Sequence, residues 1–468
     1  MSEIKYKKAS VFYLLGNLFN KGIGFLTVPI FTRILSTSDY GIVTTYNSWI
    51  GILAMLFGFA LHMSIRRAFV DYKKEIDEFM SSIILFVWGF LLLCVVLTMA
   101  FWYIYKPALS FFIVILCFTQ ATCTAIIEDY SNYLMMKYQY RKRTLLLVAP
   151  NLLGVIFSVI VIMSICKRDF YLGRIVPTAV VCMLFGIVIS IISLRRGMFK
   201  FRSYYLKYAL AISAPLIFHG MALYILAQAD RTMITFLANA SQTGIYSLVY
   251  NFGMIATVIT TGFDGVWVPW FIDKMEKKQF AEINCMAKKY INLMTYAMGG
   301  LLLISPELVK ILAEKSYWEG VVILPPIMLS NFVVFSYSLY VHIEHFYKKT
   351  MRIAINTIIA AIINVVLNYL LIPQFGYCAA AYTTLISYIV VFALHAQYAK
   401  KIENKLYSVK YFCIPVALLL LVVFFFYIFL NSILLRWGIS LIYICIGIYS
   451  ERKFILKMFP GFKSLKND

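Results

Sequence analysis

The chain has few charged residues, and fewer still are acidic. Asp, Glu, Lys and Arg make up only 14% of its 468 residues, and 43 of these are Lys or Arg against 21 Asp or Glu. Soluble domains carry about 25% charged residues. Because 62% of the chain is hydrophobic and its mean hydropathy is +0.82, the composition excludes a soluble protein and predicts an integral membrane protein.

Sequence motifs for catalysis, for metal binding and for ATP hydrolysis are missing as well. No G-x-x-x-x-G-K-[ST] phosphate loop and no nucleophile–base signature occurs. The nine cysteines are scattered without a C-x-x-C pair, which favours small core residues over metal ligands or disulfides. No cleavable signal peptide is evident. We therefore expect a protein that is not an enzyme, that requires no cofactor and that contains no ATPase motor.

Long apolar runs are what the sequence does contain. They are continuous rather than alternating, which is typical of membrane-spanning helices and not of a β-barrel. The predicted fold class is all-α, a polytopic membrane protein with about fourteen transmembrane helices. The predicted spans are 10–35, 41–64, 80–105, 108–136, 144–166, 172–194, 208–236, 243–269, 290–312, 321–346, 352–372, 377–399, 410–430 and 433–450.

The net charge is +22, and the basic residues behind it are positioned like membrane topology signals. Most of the Lys and Arg residues lie in alternate loops between the apolar runs, and positively charged loops stay cytoplasmic. We therefore predict a multi-pass membrane protein with an even number of spans and both termini in the cytoplasm. The pattern explains the charge without a nucleic-acid partner. Lysines of the stretches 70–81 and 271–290 are expected to contact anionic membrane lipids.

The sequence repeats itself once. The segment from Thr32 (TRILSTSDYGIVTTYNS) aligns with the segment from Thr235 (TFLANASQTGIYSLVYN), so that Gly41 corresponds to Gly244. The offset spans six predicted helices, which gives two parallel repeats, an architecture known in transporters. We predict an N-terminal six-helix lobe over 1–200 and a second six-helix lobe over 201–405. Two extra helices and a cytoplasmic tail occupy 406–468.

Two spans carry polar residues on one helical face. Asn17, Asn20 and Lys21 share a face of span one, and Gln228 and Arg231 share a face of span seven. A charge at mid-bilayer costs roughly 3 kcal/mol or more, so such residues are rarely exposed to lipid. The pattern predicts a hydrated cavity in which these cations and amides bind an anionic, hydroxyl-rich substrate.

Other interpretations of the cations stay open. Lys21 and Arg231 could each pair with a nearby carboxylate, and Asp230 is adjacent to Arg231. Arg33 is a further candidate for the substrate site. It lies near the outer end of span one, where a long side chain can instead extend to water, and this second interpretation is favoured.

Carboxylates near the cytoplasmic ends of spans are candidates for ion coupling. Asp264, Glu128 and Asp129 could take up a proton or a sodium ion, and Asp264 is the preferred candidate because hydroxyls and glycines surround it in TTGFDG. The simpler interpretation, which we favour for all three, is that they face cytoplasmic water or neutralise a basic loop.

The opening of the chain resembles a known family. The pattern N-x-x-x-K-G-x-x-F-x-x-x-P-x-x-T-R-x-L-S-x-x-D-Y-G, from Asn17 to Gly41, is similar to the start of bacterial polysaccharide transporters. The resemblance implies a flippase for undecaprenyl-pyrophosphate-linked oligosaccharide units of O-antigen, capsule or exopolysaccharide. It also implies a fold of two six-helix lobes around a cationic cavity, shared with lipid II flippases and with multidrug and toxin extrusion carriers.

Under this resemblance Lys21 and Arg231 attract the pyrophosphate, while Asn17, Asn20 and Gln228 contact the sugars. The polyprenyl tail of the substrate stays in the membrane, and the two lobes carry its pyrophosphate–saccharide head group across by alternating access. The driving force would be an ion gradient, the membrane potential or removal of the product. A polymerase and glycosyltransferases of the same pathway are expected partners.

Two transporters compete with this interpretation. One is a cation-coupled multidrug exporter, against which Lys21 and Arg231 argue because such a carrier suits cationic drugs. The other is a lipid II flippase, which the sequence separates poorly from the first hypothesis. A polymerase or ligase ranks low because the longest outer connection, about 305–320, is short.

Overall fold

The computed structural model describes residues 23–105 and 110–458, and within these ranges it contains helices and turns but no strand. The α-helices are α1 (Val28–Ile34), α2 (Thr37–Phe57), α3 (His62–Asp71), α4 (Ile76–Tyr105), α5 (Phe111–Met136), α6 (Tyr140–Ser164), α7 (Phe170–Arg196), α8 (Ser203–Leu237), α9 (Ala240–Glu276), α10 (Phe280–Leu312), α11 (Leu324–Phe346), α12 (Thr350–Ile402), α13 (Cys413–Ile428) and α14 (Ile433–Met458). Short 3₁₀ helices cover Lys315–Ile323 and Val409–Phe412.

The predicted helical membrane fold is confirmed. In the ranges that the structure describes, eleven segments are long and apolar enough to cross a membrane. One of them, α12, is interrupted at Gly376 (φ 59°, ψ −146°), and its two halves match two predicted spans. Helix α8 coincides with predicted span seven but is not among the eleven, and Ile23–Ile34 is a shorter apolar helix at the end of predicted span one.

The chain divides into two compact units, one ending at Gly244 and the other beginning at Ile245. In the first unit, the starts of α2 and α9 touch through the two repeat-related glycines. A Cβ atom on Gly41 would overlap the carbonyl oxygen of Ala240, and one on Gly244 would overlap that of Thr37. The hydroxyls of Thr37 and Ser241 lie 2.6 Å apart beside them. Small residues permit this close approach of two backbones.

In the second unit, the two halves of α12 are joined by amide and hydroxyl groups. The Asn364 amide donates to the Thr384 hydroxyl at 3.1 Å, the Asn368 amide donates to Asn364 Oδ1 at 3.2 Å, and the Thr383 hydroxyl donates to Asn368. These asparagines therefore serve hydrogen bonding between the two halves of α12.

A buried ion pair fixes the last helix of the second unit. Arg436 on α14 is fully buried and donates to both carboxylate oxygens of Glu307 on α10. The same guanidinium donates to the carbonyls of Leu303 (3.2 Å) and Phe429 (2.9 Å). Trp437 Nε1 donates to Glu307 at 3.1 Å. The charges are thus paired and hydrogen-bonded, which is the condition for burying them.

Candidate functional site

A broken membrane helix is the structural basis of the site. Helix α2 ends at Phe57 and α3 begins at His62, although Thr37–Asp71 as a whole has the length and hydropathy of one span. Between them Phe59 and Ala60 adopt left-handed φ angles of 47° and 49°. This conformation costs roughly 1–2 kcal/mol per residue with a side chain. Irregular backbone at membrane depth is tolerated where it is buried in protein or lines a polar cavity.

Such a cavity lies beside the break. It is bounded by the end of α2, the start of α3, the C-terminal half of α5 and the middle of α8, and it encloses about 50 Å³. The polar side chains that line it are His62, Thr124, Glu128, Asp129 and Tyr224. That space holds a few water molecules or a small cation. It is much too small for a saccharide.

Glycines make room for the cavity and for its boundary helices. A Cβ on Gly51 would press against the Tyr224 ring, at 3.0 Å from Cε1, and one on Gly58 would lie 2.7 Å from Ala125 Cβ. The break itself is held by Ser213, whose hydroxyl donates to the carbonyl of Ala60 at 3.1 Å. The sequence predicts one continuous span over 41–64 and gives no sign of the break.

The two adjacent carboxylates of α5 have different environments. The Asp129 side chain is buried, and its Oδ2 has no hydrogen-bond partner within the ranges described. The Glu128 side chain is 53% exposed, and its Oε1 lies 3.9 Å from His62 Nε2. Nearby, Arg66 Nε donates to Asn132 Oδ1 at 3.1 Å, and the Asn132 amide donates to the Glu128 carbonyl at 3.0 Å. The Arg66 guanidinium therefore donates to an amide oxygen of the same helix as the two carboxylates.

In the second unit, Asp264 on α9 has a similar histidine neighbour. Its Oδ1 lies 3.9 Å from His342 Nε2, and its side chain is 35% exposed. The His342 Nδ1 atom is buried and lacks a partner among the described residues. Asp264 is thus partly exposed, whereas Asp129 is buried.

A fourth acidic residue of interest is Glu344 on α11. Its Oε1 lies 2.8 Å from Nδ1 of His395 on α12, and both side chains are almost completely buried. Asn356 Nδ2 lies 3.3 Å from the same histidine nitrogen, and the Tyr337 ring stacks on the imidazole. This cluster ties α11 to both halves of α12.

The predicted substrate residues of α8 lie against α2 in the first unit. Gln228 Oε1 accepts from the Ser48 hydroxyl at 3.4 Å, and the hydroxyls of Thr45 and Thr235 are 2.6 Å apart. Arg231 is buried, and its Nη1 donates to the carbonyl of Ala227 at 3.0 Å. The structure therefore brings Gln228 and Arg231 to one helix–helix contact, and their binding of substrate stays a prediction.

The remaining predicted substrate residues belong to span one. Arg33 is exposed, and its Nη1 donates to the carbonyl of Pro29 at 3.0 Å in the last turn of α1. Lys21, Asn17 and Asn20 lie outside the described residues, so their roles stay predictions.

Sequence reasoning misses two features of the structure. The first is His395, which follows the buried face of α12 at helical spacing from Ser387 and Val391. Arg436 and Glu307 are charges inside apolar runs, a signal that could have identified their pairing. Residues 23–105 and 110–458 contain no group of three or more His, Cys, Asp or Glu residues suited to a metal ion.

Comparison with known proteins relates the chain to a family of polysaccharide biosynthesis proteins. Residues 7–275 match the family model described as polysaccharide biosynthesis protein. A protein of the Lsg locus of Haemophilus influenzae is 20% identical over 293 residues, covering 59% of this chain and 68% of that protein.

Two solved structures show the same fold. Lipid II flippase MurJ in an inward closed conformation is 17% identical, with a TM-score of 0.70 over 95% of this chain and 100% of the other. A multidrug resistance MATE family transporter in an inward-facing conformation is 13% identical, with a TM-score of 0.58 over 84% of this chain and 97% of the other.

Proposed function

Because the chain belongs to the polysaccharide biosynthesis protein family, we propose that it flips a lipid-linked oligosaccharide across the bacterial cytoplasmic membrane. The observation that carries the proposal is the family match combined with a multi-pass helical fold that resembles a lipid II flippase over nearly the whole chain. The substrate would be an oligosaccharide on undecaprenyl pyrophosphate, destined for O-antigen, capsule or exopolysaccharide. The protein acts as a carrier and not as an enzyme.

Cationic residues inside spans support an anionic substrate. Arg231 is a buried guanidinium in a helix of predominantly apolar composition, and Lys21 lies within the predicted first span. Arg binds phosphate oxygens through two parallel hydrogen bonds, whereas Lys acts as a point charge. Both would attract the pyrophosphate, and Gln228 would offer its amide to sugar hydroxyls.

The small cavity beside the break requires a separate role. At about 50 Å³ it holds neither pyrophosphate nor sugar, so the saccharide head must use other space. An acidic cavity of this size suits the coupling ion of a carrier better than its cargo.

A complementation experiment tests the proposal. In a strain whose own copy of the gene is deleted, R231A should lose surface polysaccharide and accumulate the lipid-linked precursor on the cytoplasmic side, because the pyrophosphate loses a charge partner. R231K keeps the charge and should retain part of the export. K21A and K21R form a second matched pair. Normal polymer from both alanine variants, at wild-type protein levels, would remove these residues from the substrate site.

A multidrug exporter is the second candidate, favoured by the likeness to a MATE family structure. It would bind organic cations, which a buried arginine repels. Resistance to cationic dyes that depends on this chain, with unchanged polysaccharide, would favour that candidate.

A further inference from the structure

The break between α2 and α3 lies next to a buried carboxylate that has no bonding partner. Interrupted helices in transporters place the ends of half-helices at ion sites, where unwound carbonyls and C-terminal dipole ends face the cation. Here α2 ends at the cavity that Asp129 lines. We propose that this cavity is a cation site in which Asp129 binds a proton, the ion that couples to the flippase cycle. The inference rests on the proposed function, to which it adds the driving ion.

The first support for this proposal is the environment of Asp129. Its side chain is 2% exposed, and Oδ2 has no hydrogen-bond partner among the described residues. An ionised carboxylate taken out of water costs several kcal/mol unless a cation or several donors compensate it. A proton on the carboxyl group removes that cost and leaves a neutral polar group, which is far cheaper to bury. Asp129 is therefore built to bind a proton from the cavity.

The second support comes from the charged and titratable groups around Asp129. The charged and titratable side chains that face this part of α5 are Glu128 on the same helix, His62 and Arg66 on α3, Tyr224 on α8, Arg143 on α6 and Arg196 on α7. Arg143 donates to the Ser131 hydroxyl at 3.0 Å and Arg196 to the Tyr130 hydroxyl at 3.2 Å. The arginines of the neighbouring helices thus bind other groups.

Glu128 has two effects: it repels an ionised Asp129, and it provides a path for the proton between water and the cavity. Its carboxylate is adjacent in sequence, so two ionised groups here would repel each other, and one of them is favoured as the neutral acid. Because Glu128 is half exposed and lies 3.9 Å from His62, it can pass a proton between water and the cavity. The proton arrives from cavity water, forms an O–H bond on Asp129 and returns to water when the cavity is exposed again.

The site differs from the pair in the second unit. Asp264 lies 3.9 Å from His342, as Glu128 lies 3.9 Å from His62, but 35% of the Asp264 side chain is exposed, whereas Asp129 is 2% exposed. A partly exposed carboxylate has less need of a proton than a fully buried one. The structure therefore points to Asp129 rather than to Asp264, which reverses the order of preference that the sequence suggested.

Carbodiimide labelling of the full-length protein in lipid vesicles tests this site directly. Dicyclohexylcarbodiimide is apolar and reacts with protonated carboxyl groups inside membranes, and mass spectrometry identifies the labelled residue. We expect labelling at Asp129 that falls several-fold as the pH is raised, and much weaker labelling at Asp264. Absence of label at Asp129 at every pH, with the protein folded, would overturn the proposal.

Variants and salts sharpen the result. D129N should lose the label and D129E should restore it, while D264N should leave it unchanged. A label at the Asp129 peptide that persists in D129N would also overturn the assignment. Sodium chloride is compared with choline chloride: protection by sodium means that both ions share the site, and equal labelling means that it takes a proton alone.

The labelling experiment requires no lipid-linked substrate, so its failure leaves the flippase proposal standing. Conversely, a protein that labels as expected but flips no lipid-linked saccharide would contradict the proposed function and retain the proton site. In vesicles that do flip, an imposed pH gradient should accelerate the wild type several-fold and D129N hardly at all.

Discussion

At the scale of single residues, two glycines decide whether α2 and α9 can start side by side. Gly41 and Gly244 each present a bare Cα to the backbone of the other helix, next to the Thr37–Ser241 hydroxyl contact. A methyl group has no space there, because the atoms it would meet are backbone atoms that cannot rotate away.

Replacing Gly41 with alanine should therefore destabilise the protein. Overpacking of this kind costs about 1–3 kcal/mol, so the thermal unfolding temperature of the solubilised G41A protein should fall. Gly89 on α4 is the matched control, because a Cβ there meets no atom within 4 Å. Alanine favours helices over glycine by about 1 kcal/mol, so G89A should unfold at the same temperature or higher. An equal fall in both variants would contradict the contact.

The sequence predicts the equivalence of some of these residues, but it predicts neither their contacts nor their burial. The repeat identifies Gly41 and Gly244 as equivalent, but an alignment cannot show that equivalent residues touch. Asp129 and Asp264 look alike as carboxylates near helix ends. Only the packing around α5 separates the buried Asp129 from the partly exposed Asp264, because burial depends on the neighbouring helices and not on spacing along one chain.

At the scale of elements, the ion pair of Arg436 and Glu307 holds α14 against α10 in the second unit. A paired, hydrogen-bonded charge is tolerated in an apolar interior, whereas a single charge left behind by mutation is not. The pair therefore makes the position of the last helix sensitive to either residue.

Removing one partner tests this dependence. E307Q should reduce stability by about 3–5 kcal/mol, since it leaves the Arg436 guanidinium buried without its counter-charge. The double variant E307M/R436M removes both charges and should recover much of the loss. Thermal unfolding of the solubilised variants measures both effects. A double variant no better than E307Q would show that the carbonyl contacts of Arg436, and not its charge pairing, fix α14.

Helix interruptions also belong to this scale. Gly376 lies three residues after Pro373, and the sequence accordingly divides α12 into two spans. No comparable signal marks Phe59 and Ala60, which are ordinary helix-compatible residues after a single glycine. Tertiary packing imposes the left-handed turn there, so the cavity beside it could not be predicted from local sequence.

At the scale of the whole molecule, loops predicted to share one side of the membrane contact each other within each unit. Lys200 pairs with Glu78 at 2.5 Å in the first unit. In the second, the Asn284 amide donates to the Lys405 carbonyl at 2.7 Å, and the Tyr377 hydroxyl donates to the Glu319 carbonyl at 3.4 Å. The first two contacts join predicted cytoplasmic segments, and the third joins predicted outer ones.

Site-directed labelling checks the predicted orientation. In a version without reactive native cysteines, K200C should react with an impermeant thiol reagent only after the cells are opened, because positive loops stay inside. E319C should react in intact cells. The reverse pattern would invert the topology and place the Asp129 cavity toward the outer face.

Flipping by the purified full-length chain in proteoliposomes tests the central claim most directly. A fluorescent undecaprenyl-pyrophosphate oligosaccharide is placed in both leaflets, and an impermeant reductant bleaches the label that reaches the outer surface. The account predicts that the wild type exposes the protected inner-leaflet label to bleaching and that R231A does so far more slowly. Label that stays protected in vesicles containing folded wild-type protein, with and without a pH gradient, would contradict it.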